Sequence, residues 1–277
     1  MFPANFDYYR ADSVDAAIAL MGEHPDGKLL AGGHSLLPMM KLRLAQPTAL
    51  IDIGRIEALR GITADGGVVR IGALTTHHEL ATSTVLAEHC PLVAEAAAEI
   101  GDPQVRNRGT IGGSLAHADP ASDLPAVLRA LGATARIAGA SGERGVSSED
   151  FFVDLLATAV GIAEILTAIE VPAMAGRRGA YVKHEQPASG YALCGAAAVV
   201  GGGSVSLCYN GVSVTPHRAT AVEQALAGSD LSDGAIDAAL EGLSIEEPLE
   251  DLHASGEYRV HLARVYGGRA LRAARDR

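Results

Sequence analysis

The sequence contains no tryptophan, and aromatic residues make up only 4% of it. Rings able to lie against a flat ligand are therefore scarce, which draws notice to Tyr191. Cysteine is also sparse. Cys90, Cys194 and Cys208 are odd in number, far apart and without a C-x-x-C pair. That excludes a disulfide framework, and it excludes an iron–sulfur cluster held by this chain alone, which needs four thiolates. Each cysteine reads as a small apolar core residue. There is no excess of positive charge. The formal net charge is -11, so no basic face is available to neutralise nucleic-acid phosphates. No apolar run is long enough to span a bilayer. The N-terminus, Met1-Phe2-Pro3-Ala4-Asn5-Phe6-Asp7, lacks the basic and apolar regions of a signal peptide. A cytoplasmic location is the resulting expectation.

What is present is a chain of 277 residues, 48% apolar, able to bury a large core in one to three domains. Its organising stretch is Leu30-Ala31-Gly32-Gly33-His34-Ser35-Leu36. A short apolar strand, from Lys28 to Ala31, ends in two glycines that let the backbone approach a ligand closely. Successive N–H groups in such a turn can converge on an anion. A second stretch of the same kind, Gly109-Thr110-Ile111-Gly112-Gly113-Ser114-Leu115, lies 80 positions on (Gly112 against Gly32). One such loop is an ordinary tight turn; two suggest jaws around one diphosphate. Neither carries the G-x-G-x-x-G or G-x-x-x-x-G-K-[ST] pattern, which disfavours a nicotinamide Rossmann domain and a P-loop ATPase.

Along the chain, Asp12-Ser13 caps a helix to about Met21, and strands are expected at 50–53 and 68–73. The first unit is βαβ-like. Thr75 and Thr76 can cap a helix through His77-His78-Glu79-Leu80. That cluster fails the zinc-protease pattern H-E-x-x-H, because Thr82 stands where the second histidine belongs. An alanine-rich helix begins at Pro91, with Gly101 just past its end. Asp123 is placed as an N-cap, with Pro125 in the first turn and Gly132 after the last. It is equally placed to accept from a ribose or ribitol hydroxyl. Strands follow at 133–138 and 164–171, and Phe151 to Leu156 reads as buried. Lys41 and Arg43 read as solvated charges, or as cations placed to meet an anion or a partner subunit. A polar linker at 174–179 leads to three strands, 180–183, 192–200 and 204–209, and then to helices at 219–227, 232–240 and 253–275. Strands followed by helices mark a separate α+β domain. No triad resembles the G-x-S-x-G elbow, so no catalytic acid, base or nucleophile and no metal ligand is assigned.

Taken together, Ala31-Gly32-Gly33-His34-Ser35-Leu36-Leu37-Pro38, Ile71-Gly72-Ala73-Leu74-Thr75-Thr76, Arg106-Asn107-Arg108-Gly109-Thr110-Ile111-Gly112-Gly113 and His117-Ala118-Asp119-Pro120-Ala121-Ser122-Asp123-Leu124-Pro125 carry a resemblance. So does Ala254-Ser255-Gly256-Glu257-Tyr258-Arg259. The chain resembles the FAD-binding medium subunit of molybdenum hydroxylases of the carbon monoxide dehydrogenase and xanthine dehydrogenase type, along essentially its whole length.

The resemblance implies an α+β fold. Two subdomains, 1–56 and 57–177, clasp FAD as in flavoproteins of the vanillyl-alcohol-oxidase (PCMH) type. A C-terminal domain, 178–277, holds a three-stranded antiparallel sheet with helices. The diphosphate falls to the backbone of Ala31 to Leu36 and of Thr110 to Ser114, with Leu30 at the edge. Thr76, Gly101, His117, Asp119, Asp123 and Leu166 match further FAD-contacting positions. Lys183 and Tyr191 match positions near the isoalloxazine, with Tyr191 as a shield over the ring. The implied partners are a small subunit with [2Fe-2S] clusters and a large subunit with the molybdenum cofactor, assembled as a dimer of heterotrimers, together with an external electron acceptor. Other readings are a stand-alone FAD-dependent reductase of the same fold and a flavin-free assembly subunit. Ser114 departs from the Asn of many relatives, and Lys183 to Gly190 is less basic than in some.

Overall fold

A computed structural model describes residues 1–277. Ser13 starts the first helix, Val14–Glu23, its hydroxyl accepting from the Ala16 N–H at 3.1 Å, the usual way a cap satisfies a free helical donor. The helix carries the chain from strand Asp7–Arg10 to strand Lys28–Leu30, and both pair in parallel with Ala49–Asp52. That is the expected βαβ unit with one strand added. Strand Asp7–Arg10 is mostly exposed and pairs on one side only, so it shows no apolar alternation to read. Ala17, Ile51 and Ile53 form the small core of this unit. Ile51 is fully buried and contributes about 1.5–3 kcal/mol by leaving water.

The middle unit is built on an antiparallel sheet in the order Ile62–Asp65, Val68–Gly72, Ile165–Pro172, Thr134–Gly139, Gly142–Ser147. Its two outer strands are polar and largely exposed, and only the inner three carry a readable apolar pattern. Helices Pro91–Ala98 and Asp123–Leu131 close the core over Ile71, Leu92, Val127, Ile137 and Ile169. Gly132, at φ +71°, ends the second helix in the left-handed region, as expected of a C-terminal glycine. Two expectations need correction here. Ser122, not Asp123, is the N-cap, and Asp123 is the first helical residue. Phe151 and Phe152 are buried, but Leu155 and Leu156 are half-exposed on a short hairpin.

The C-terminal sheet has four strands where three were expected: Arg178–Glu185, Ala192–Gly201, Ser204–Asn210 and His217–Arg218. The fourth is two residues long and follows Pro216, too short to show any periodicity. Helices Thr220–Leu226, Asp233–Glu241 and Gly256–Asp276 cover one face. Tyr181, Ala197, Val199 and Cys208 look the other way, into the core of the middle unit. The three cysteines are separate and buried. Burial pushes the Cys90 thiol up to about 11 and Cys194 up to about 12. No helix is long and apolar enough to cross a membrane.

Candidate functional site

The first glycine loop is left open by its own backbone. From Ala31 through Leu36, six consecutive N–H groups find no acceptor within the protein. Internal bonding resumes only when the Leu37 N–H donates to the Gly33 carbonyl at 3.1 Å. Gly33 sits at φ +76°, a conformation that glycine adopts without strain. Ser35 precedes helix Leu36–Lys41 without a side-chain cap, so its hydroxyl is free as well. Backbone donors are almost always paired in folded proteins. A run of six unpaired donors, on residues that are half-buried except for exposed His34, is therefore a candidate anion site.

The second glycine stretch is built differently. It is the first turn of a helix, Ile111–His117, capped by Thr110. Its donors are already spent. Ile111 N–H bonds the Thr75 carbonyl at 3.0 Å, and Gly112 N–H bonds the Ala73 carbonyl at 2.9 Å. Gly113 N–H bonds the Thr110 hydroxyl at 3.1 Å, and Ser114 N–H bonds the Thr110 carbonyl at 2.9 Å. In this stretch the Thr110 N–H and the Ser114 hydroxyl remain, the latter only 3.5 Å from the Ser122 hydroxyl. Glycine is needed at Gly112 because a Cβ would lie 2.7 Å from the Ala73 carbonyl oxygen.

The two stretches meet. A Cβ on Gly32 would overlap the Arg108 carbonyl oxygen, so the backbones touch at that point. Thr76 belongs to the same junction. It forms a bridge with Thr110, and its side chain caps helix His77–Ala81 in a reciprocal pair with Glu79. Beside it His77 is buried, with Nδ1 unpartnered. Burial, helped by the nearby His34, lowers its pKa to about 4, so the ring is neutral.

Helix Ile111–His117 then runs about 10 Å at 1.5 Å per residue to a second cluster. Ala118 takes φ +52° and turns the chain into Asp119, whose Oδ1 accepts from the Ala121 N–H at 2.9 Å. Asp123 follows, 6% exposed. Its Oδ1 accepts from the Tyr181 hydroxyl at 2.6 Å and lies 3.3 Å from Lys183 Nζ. Burial pushes the Asp123 carboxyl up to about 6, against the pull of Lys183 and Tyr181. Lys183 Nζ also donates to the Glu99 carbonyl at 2.6 Å and the Gly190 carbonyl at 2.9 Å. Gly190 in turn faces Gly101, which sits at φ +44°. Tyr191 ends this turn, half-exposed. Enclosure of its hydroxyl, then the Asp119 and Asp123 carboxylates, raise its pKa. Asp119 and Tyr191 border a cleft of about 330 Å³ between the middle unit and the C-terminal sheet, with Gln186, Leu155 and Arg259 also lining it.

The structure thus gathers Leu30 to Leu36 with Thr76 and the start of helix Ile111–His117, and gathers Gly101, Asp119, Asp123, Lys183 and Tyr191 at the other end. His117, half-buried, is the last residue of the connecting helix. Leu166 is a core residue packed with Ile111 and Leu115, and it underlies that helix. Sequence reading missed Tyr181 and Arg259. Tyr181 was within reach, since it shares a strand face with Lys183 two residues on. Arg259, 3% exposed, donates to the Leu193 carbonyl at 2.7 Å, to the Gly211 carbonyl at 2.5 Å and to Asp251 at 2.7 Å. It ends the Ala254-to-Arg259 stretch that carries part of the family resemblance.

Two family models match the chain. "FAD binding domain in molybdopterin dehydrogenase" covers residues 4–174, and "CO dehydrogenase flavoprotein C-terminal domain" covers residues 180–274. The carbon monoxide dehydrogenase medium chain of Hydrogenophaga pseudoflava is 43% identical, over 99% of this chain and 98% of the relative. The glyceraldehyde dehydrogenase medium chain of Sulfolobus acidocaldarius is 38% identical, over 98% and 99%. Among solved structures, a carbon monoxide dehydrogenase from Hydrogenophaga pseudoflava lacking the Mo-pyranopterin moiety of its molybdenum cofactor superposes with a TM-score of 0.94. The match spans 99% of this chain and 98% of that one, at 43% identity.

Proposed function

The chain belongs to the family of FAD-binding medium subunits of molybdenum hydroxylases, which are oxidoreductases with FAD as cofactor. From that premise we propose that it carries electrons from the [2Fe-2S] clusters of a small partner subunit to an external acceptor. A large partner subunit with the molybdenum cofactor oxidises the substrate, and the whole is a cytoplasmic dimer of heterotrimers. The observation that carries the reading is the run of free N–H groups from Ala31 to Leu36. Such a cradle fits a diphosphate, and it is hard to reconcile with a flavin-free assembly subunit.

In this reading Ala31 to Leu36 hold the diphosphate, and the Thr110 N–H and Ser114 hydroxyl close it from the other side. Leu30, Thr76 and Leu166 support the two backbones, and His117, on the helix that joins the two clusters, would line the cofactor between them. Gly101, Asp119, Asp123, Lys183 and Tyr191 surround the ring end, within the two-subdomain flavoprotein fold implied by the sequence. Bound FAD supplies a redox centre that exchanges electrons singly or in pairs; the protein's part is binding, orientation and electrostatic tuning. The dehydrogenases to which the relatives belong act on carbon monoxide and glyceraldehyde, in keeping with a substrate pocket on another subunit.

Purification of the chain with its co-expressed neighbours tests this. Flavin bands together with a co-purifying iron–sulfur subunit are expected. A colourless chain that takes up no added FAD, or a flavoprotein that never associates with an iron–sulfur partner, contradicts it.

A further inference from the structure

The sequence resemblance puts Lys183 near the isoalloxazine, and at that end of the site its ammonium is fully engaged by acceptors of the protein. An ammonium has three donors. Those of Lys183 face the Glu99 carbonyl at 2.6 Å, the Gly190 carbonyl at 2.9 Å and Asp123 Oδ1 at 3.3 Å. Its side chain is 3% exposed. The three acceptors come from three segments distant in sequence: the end of helix Pro91–Ala98, the first residue of helix Asp123–Leu131, and the turn before Tyr191. We propose that Lys183 is a positioning residue that ties these segments together and sets the posture of Tyr191 and Asp123 without itself touching the cofactor.

The inference rests on reading Tyr191 and Asp123 as lining the flavin site. The turn has internal bonds of its own: Gln186 N–H to the Tyr191 carbonyl at 2.8 Å and Gly190 N–H to the Gln186 carbonyl at 2.9 Å. Pro187, Ala188 and Ser189 within it are exposed, so little packing holds it down. Lys183 lies on the C-terminal sheet with the turn; by bonding the Gly190 carbonyl as well as the Glu99 carbonyl and Asp123 of the middle unit, it adds a polar tie to the close approach of Gly190 and Gly101. At Asp123 both strong partners, Tyr181 and Lys183, converge on Oδ1, which leaves Oδ2 for the site. The ionisable groups facing Asp123 are Lys183, Tyr181, Glu99 and Tyr191, and Lys183 is the one cation among them. Removing it leaves a buried carboxylate without a counter-charge, and the carboxyl then holds its proton to higher pH.

Hydrogen exchange on the full-length, flavin-free chain reads the tether directly. In Lys183→Met the amides of Gln186 and Gly190 are expected to exchange at least tenfold faster. In Tyr181→Phe, which removes only the other donor to Asp123, they are expected to stay at the wild-type rate. A pH series of FAD affinity, followed by flavin fluorescence, is expected to shift its midpoint upward in Lys183→Met. Unchanged exchange together with an unshifted midpoint and a tenfold loss of FAD affinity would overturn the inference and make Lys183 a direct ligand. Should Lys183→Met fail to fold, Lys183→Gln, which keeps an amide donor without the charge, is read in its place. If the wild-type chain takes up no FAD, the functional reading falls while the exchange experiment still decides the tether.

Discussion

Gly32 lies so close to Arg108 that a Cβ on it would overlap the Arg108 carbonyl oxygen. The open donor loop and the capped helix are thus held together by direct backbone contact, and no side chain fits between them. Gly32→Ala is expected to push the two stretches apart. Overpacking of this kind costs about 1–3 kcal/mol, readable as a lower urea midpoint, and FAD affinity should fall by tenfold or more. Urea unfolding and a fluorescence titration of the same sample separate the two effects.

Buried His77 makes the chain acid-sensitive. The unfolded imidazole takes its proton near 6.5 and the folded one at about 4. Between those values the unfolded chain binds more protons, so stability is full above 6.5 and is lost as pH falls toward 4. From pH 7 to pH 5 the loss is about 2 kcal/mol. Asp123 acts with the opposite sign. Its carboxyl is raised from 3.8 to about 6, so its contribution is present below 3.8 and is lost as pH rises through 6. His77→Leu is expected to abolish the first term, giving a protein less sensitive to acid than the wild type in urea unfolding at pH 5 and 7.

Arg259 is expected to be a structural anchor of the cleft. It bonds the Leu193 carbonyl, two residues from Tyr191, and the Gly211 carbonyl; the Gly211 N–H bonds the Pro120 carbonyl next to Asp119. Arg259→Met takes the donor from the buried Gly211 carbonyl and the half-buried Leu193 carbonyl and is expected to cost about 3 kcal/mol. Thermal unfolding measures it, and Arg259→Lys should recover part of the loss.

Tyr191 is half-exposed, so Tyr191→Ala is expected to change stability by less than about 1 kcal/mol. FAD binding should largely persist, while the flavin spectrum and the rate of reaction with acceptors change. Stopped-flow reoxidation beside a binding titration checks both parts.

Much of this was legible from local signals. The Ser13 cap, the left-handed Gly132 and the inner strands follow from residues within a few positions of each other. The outer strands, such as Gly142–Ser147, were not legible, because they are polar and exposed and have no apolar periodicity. The second glycine stretch looked like the first because both are rich in glycine. What distinguishes them is that the carbonyls of Ala73 and Thr75, more than 30 residues earlier, consume its donors. The neighbours of Asp123 suggest a cap and leave its second reading, as a hydroxyl acceptor, open, because its environment depends on Tyr181 and Lys183, 58 and 60 residues away (181 and 183 against 123). Local chemistry identified the donor loop; only the tertiary structure distinguished the free donors from the spent ones.

The central claim is that the backbone of Ala31 to Leu36 grips a diphosphate. It is tested most directly by titrating the flavin-free chain with FAD and, separately, with riboflavin, which carries the same ring without the diphosphate. FAD is expected to bind at least a hundredfold more tightly than riboflavin. Equal affinities would mean that the free N–H groups of Ala31 to Leu36 do not hold the cofactor, and would contradict the account.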